Sequence, residues 1–127
     1  INDAGQIVGD LSVSGDTHRA FYYSNGILTD LGTLVGDGSL LFDINNFGIA
    51  VGESYQAPWI HPYTYDGSII KDLFYELGFS SGVRGINDAG KMVGWESNLG
   101  WGSHAFIYND GEIKNLGYFD DGLEVGW

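Results

Sequence analysis

The sequence predicts an all-β fold built from antiparallel four-stranded units. Three observations carry this. The pentapeptide Ile1-Asn2-Asp3-Ala4-Gly5 returns as Ile44-Asn45-Asn46-Phe47-Gly48 and as Ile86-Asn87-Asp88-Ala89-Gly90, 43 and 42 residues apart. The 21 glycines fall largely at matching points of this repeat, where they mark turns between short apolar runs and not a flexible linker. No stretch shows the 3.6-residue apolar period of a helix. The units run 1–43, 44–85 and 86–127, within a single domain.

The elements follow in order within each unit. Asn and Asp cap the opening turn, and its Gly takes the left-handed position. A first strand follows, as in Gln6-Ile7-Val8-Gly9, Ile49-Ala50-Val51-Gly52 and Lys91-Met92-Val93-Gly94. The second strand carries the aromatics of Ala20-Phe21-Tyr22-Tyr23, Pro62-Tyr63-Thr64-Tyr65 and Ala105-Phe106-Ile107-Tyr108. Asn25-Gly26, Asp66-Gly67 and Asp110-Gly111 then supply hairpin turns. A third strand ends in Asp30-Leu31, Asp72-Leu73 or Asn115-Leu116. A fourth, through Leu40 to Phe42 or Val83 to Gly85, leads into the next Ile-Asn turn. In the last unit, Leu123 to Trp127 hold the fourth-strand position.

Composition narrows the function. The chain has 127 residues, 17 Asp or Glu and five Lys or Arg, for a net charge of −12. Phosphate neutralisation needs clustered cations, so no nucleic-acid partner is expected. An anionic membrane surface is disfavoured, and no apolar run nears the roughly 20 residues of a bilayer span. There is no cysteine, so disulfides, thiolate zinc sites and cysteine nucleophiles drop out. The chain opens on Ile1, with no basic region leading into an apolar one. This leads us to expect a processed protein or a piece of a longer one.

The pattern Ile-Asn-x-x-Gly-x-x-Val-Gly, then His-Ala-Phe-x-Tyr-x-x-Gly, then Asp-Leu-Gly, resembles the HAF family of bacterial extracellular repeats. The tripeptide stands intact at His104-Ala105-Phe106. It has an inserted Arg19 in the first copy and reads His61-Pro62-Tyr63 in the second. Leu31-Gly32-Thr33-Leu34 matches the family's Leu-Gly-Thr-Leu ending. The resemblance spans the chain and implies a secreted or cell-surface location. It implies no catalytic residues.

Four strands in about 42 residues is the size of a β-propeller blade. Three blades are too few for a ring, so this architecture predicts a homodimer that completes one. The alternative is a β-trefoil or other threefold β-barrel, which closes as a monomer. HAF-type arrays often hold more than three copies, which favours blades.

Several residues are candidates for a site. His18, His61 and His104 share one repeat position, where a metal set or general base competes with a plainer structural role. The structural reading is the one expected, with no metal and no cofactor. Asn2, Asn45 and Asn87 read as structural turn residues, since no stretch resembles a Ca²⁺ loop. The hairpin between the first and second strands varies most from copy to copy. Tyr55, Trp59, Trp95 and Trp101 bring aromatic area there, suited to sugars or protein partners. Trp127 is expected at an interface. Asp120, Asp121 and Glu124 are the one dense acidic group, expected as solvated loop. The function expected is a non-catalytic binding module that also self-associates. A hydrolase with carboxylates in a central cleft and a purely structural repeat are the alternatives.

Overall fold

The computed structural model describes residues 1–34, 36–73, 77, 80–98 and 102–118. They form eleven strands in three antiparallel sheets. The first sheet holds β1 (Ile7–Ser14), β2 (Thr17–Ser24) and β3 (Ile27–Asp30), in the order β1-β2-β3. The second holds β4 (Gly38–Ile44), β5 (Ala50–Gln56), β6 (Trp59–Tyr65) and β7 (Ile70–Asp72), in that order. The third runs from β8 (Ser81–Ile86) through β9 (Met92–Asn98) and β10 (Gly102–Asn109) to β11 (Glu112–Gly117). The described residues form no closed barrel or ring.

The sheets are out of phase with the sequence repeat. The fourth strand of the first unit is β4, and it pairs with β5 of the next. Likewise β8 pairs with β9. The short Ile-Asn turn joins β4 to β5 as a hairpin, and a tight hairpin pairs the strands it connects. The longer stretch from Leu31 to Asp37 instead carries the chain across to a new sheet.

Turn chemistry sets the other hairpins. Asn25 and Gly26 have φ of 52° and 79°, and Asp110 and Gly111 have 48° and 85°. Those are the paired left-handed residues of a two-residue hairpin. The middle copy differs. There the Asp66 carboxylate accepts the amides of Ser68 and Ile69 at 2.9 and 2.7 Å, making a wider turn. The Gly of each Val-Gly pair serves close approach. A Cβ on Gly52 would lie 1.9 Å from the Leu40 carbonyl oxygen, and one on Gly94 1.9 Å from that of Gly82. Both stand beside a bulge in the neighbouring strand.

Two cores lie between successive sheets. The first joins Ala20 and Tyr22 of β2 to Leu41 and Ile44 of β4 and to Tyr63 and Tyr65 of β6. Tyr22 and Tyr65 meet edge to face, with ring centroids 5.1 Å apart. The second core joins Val51 and Leu73 to Val83, Met92, Phe106 and Tyr108. Leu77 enters it too, and its amide donates to the Leu73 carbonyl at 2.9 Å. So the middle sheet presents one face to the first sheet and the other to the third. Among the described residues, no helix is long and apolar enough to cross a membrane.

Candidate functional site

Each Ile-Asn turn closes on itself, and the first two also reach the turn that follows. The Asn45 side-chain oxygen accepts the amides of Phe47 and Ile49, both at 3.0 Å. The Asn2 and Asn87 oxygens accept from Gln6 and Lys91, both at 2.9 Å. The Asn2 side-chain amide donates to the Asn45 carbonyl at 2.9 Å, and that of Asn45 to the Asn87 carbonyl at 3.1 Å. A second rung runs beside it. The Asp3 amide donates to Asn46 Oδ1 and the Asn46 amide to Asp88 Oδ1, both at 2.8 Å. Accepting the Asn46 backbone amide, and its side-chain amide at 3.0 Å, holds the exposed Asp88 carboxyl below its usual range.

This ladder sets the starts of β1, β5 and β9 side by side at one end of the stack. The far ends of these strands, with their hairpins into β2, β6 and β10, lie at the opposite end. That end is where the repeat breaks down. One position there holds Asp10, Glu53 and Trp95 in the three copies.

Glu53 is the centre of this end. Its side chain is fully buried, and both oxygens are engaged. Oε1 accepts from the Arg84 guanidinium, and Oε2 accepts the Tyr55 hydroxyl at 3.0 Å. The Trp95 indole N–H also donates to the carboxylate. Gly82 makes the space, since a Cβ there would collide with Glu53 Oε1. Arg84 in turn stacks over Phe42, 4.2 Å from the ring centroid. Burial pushes the Glu53 carboxyl up, against the pull of Arg84 and the two aromatic donors. Burial, then the adjacent carboxylate, pushes the Tyr55 hydroxyl up to about 12. The arrangement is a carboxylate held by three side chains, joining β5 to β8 and β9.

The candidate aromatics thus stand on strands and not in loops: Tyr55 on β5, Trp59 at the start of β6 and Trp95 on β9. Glu53 brings Tyr55 and Trp95 together. Trp59 pairs across the hairpin with Gln56 and is half-buried. Trp101, Trp127 and the acidic group Asp120, Asp121 and Glu124 lie outside the described residues.

The three histidines have separate surroundings. His18 Nδ1 lies 2.6 Å from Asp10 Oδ2, on the adjacent strand. His61 Nδ1 lies 3.1 Å from Asp72 Oδ2, where β7 runs beside β6. His104 packs edge to face on Tyr118, with centroids 5.1 Å apart. Among the described residues, no three of His, Cys, Asp or Glu gather as a metal site.

Glu53 and Arg84 were missed by sequence reasoning. The available signal was the broken repeat position: an acid in two copies and a tryptophan in the third. Arg84 stands where the first unit has Phe42. That two strands of neighbouring units would bring these departures together is not visible from spacing. Comparison with family models, curated proteins and solved structures finds no match for this chain.

Proposed function

We propose that this chain is a non-catalytic repeat module, with sheets of the β-propeller-blade kind, that engages a glycan or protein partner through its hairpin end. One observation carries the reading. The repeated Asn turns and apolar faces join sheet to sheet, while the positions that vary between copies gather at the opposite end, some in the buried Glu53 link and others, such as Trp59, partly exposed. A surface that departs from its own repeat is the one free to recognise something else. Trp59 offers half-buried ring area there, opposite Gln56 across the hairpin. The resemblance to HAF-type repeats supports a secreted or cell-surface setting.

A glycan array probed with the wild-type chain and with Trp59→Ala tests this. Binding that the variant loses at unchanged melting temperature supports the reading. Full binding by the variant removes Trp59 from the site. A blank array leaves the protein arm, and failure of the wild type to retain any cell-surface protein in a pull-down then sinks the proposal.

A further inference from the structure

The same repeat positions are buried in the middle of the stack and bare at its ends. Val8, Val51 and Val93 are equivalent; Val8 packs against the first core and Val51 lies in the second, each on the side of the next sheet. Val51 is 0% exposed, whereas Val93 is 43% exposed. Leu73 is 0% exposed, and its equivalent Leu116 is 56% exposed. Val93 pairs with Ile107 across β9 and β10, so the two share that face. On the other outer face, Ile7 is 37% exposed where its equivalent Ala50 is 0%. Phe21 and Tyr23, equivalent to the buried Tyr63 and Tyr65, are only half-buried there. The third sheet therefore bares the face that elsewhere packs forwards, and the first bares the face that packs backwards.

The turn ladder has the same polarity. Asn2 and Asn45 each donate forwards, but the equivalent Asn87 side-chain amide has no acceptor among the described residues. The Asp3 and Asn46 amides donate forwards, and the Asp88 amide has no such acceptor. At the opposite end the Asn2 carbonyl accepts only its own Gly5 amide, and the Asp3 carboxylate accepts nothing among the described residues. One end holds spare donors, the other spare acceptors.

We infer that these two ends bind each other, so that a second copy of this chain docks head to tail. The face of Val93, Ile107 and Leu116 packs against Ile7, Phe21 and Tyr23 of the second copy. The Asn87 amide donates to Asn2 of the second copy, and the Asp88 amide to its Asp3 carboxylate. The contact repeats the two sheet interfaces inside the chain and is heterologous, since different surfaces meet. It rests on reading the sheets as repeated blades and is independent of ligand binding at the hairpin end.

Light scattering with Ile7→Asp and Val93→Asp tests the polarity. The wild type is expected at twice the chain mass or a higher multiple. Each variant alone is expected as a monomer, because a charge placed in an apolar contact weakens association by about a hundredfold or more. An equimolar mixture is expected to recover a dimer, since each variant keeps the face the other has lost. A monomeric wild type overturns the inference, and so does either variant dimerising alone, which would mean that like faces meet. Circular dichroism checks that both variants are folded. If one is not, Asn87→Asp serves instead, because it replaces the donating amide with a carboxylate that faces the Asn2 carbonyl oxygen of the second copy; unchanged association in that variant overturns the inference too. Glycan binding by a monomeric wild type would leave the proposed function standing while this inference falls.

Discussion

The side-chain amide of Asn45 donates to the backbone carbonyl of Asn87, 42 residues on and in the next sheet's turn. The same side chain, through its oxygen, holds its own turn closed. One residue therefore shapes the local loop and fastens two repeats together. Asn45 is buried because the following turn covers it, while Asn87 is exposed.

That difference makes Asn45→Ala costlier than Asn87→Ala. The first strands buried turn amides and cuts the link between repeats, for a loss of about 2–3 kcal/mol. The second removes an acceptor in an exposed turn, for about 1 kcal/mol. Urea denaturation of both variants checks the order, and equal losses would contradict it.

Gly52→Ala is expected to destabilise by about 2 kcal/mol or more, because the new methyl meets the Leu40 carbonyl in a paired strand. The clash is with backbone, so no side chain can swing away. A thermal melt within a degree of the wild type would show that the bulge yields instead.

Leu73→Ala and Leu116→Ala remove the same atoms from equivalent positions. Leu73 lies in the second core, so its truncation leaves a cavity and costs about 2–5 kcal/mol. Leu116 is exposed in the single chain, so its loss costs under about 1 kcal/mol when measured at concentrations where the chain is monomeric. Chemical denaturation at low protein concentration separates the two.

The raised Glu53 carboxyl gives a signed pH dependence. Its folded value lies above its unfolded one, so its contribution is fully present below the ordinary glutamate range and is lost as pH rises through the folded value. Glu53→Gln has no such proton to lose. The stability of the wild type relative to Glu53→Gln is therefore expected to fall as pH rises from about 4 towards neutrality. Melting temperatures of the two proteins across that range check this, and a gap that widens in favour of the wild type would contradict it. The exposed Asp66 and Asp88 act oppositely. Their lowered values support the fold above the ordinary aspartate range and withdraw that support in stronger acid.

Much of this architecture was legible because it is local. An Asn-Gly dipeptide needs only its own backbone to make a hairpin, and strand alternation needs only neighbouring residues. The repeat itself marked Val8, Val51 and Val93 as equivalent. It did not say that Val51 is buried and Val93 bare, because that depends on whether another sheet follows. Nor did it show that Leu116, the counterpart of Leu73, has no core to enter among the described residues.

The all-β class, the three repeats, the turn chemistry and the acidic balance are written in the order of the residues. They depend on backbone geometry and on charges counted one residue at a time. The phase of the sheets, the Asn ladder and the Glu53 cluster arise only when the sheets pack. Each of those joins residues from different repeats, and Glu53 was placed by the space that Gly82 leaves and by the cation that Arg84 brings from another strand. A buried carboxylate is tolerated only where donors converge on it, and that convergence is set by how sheets pack.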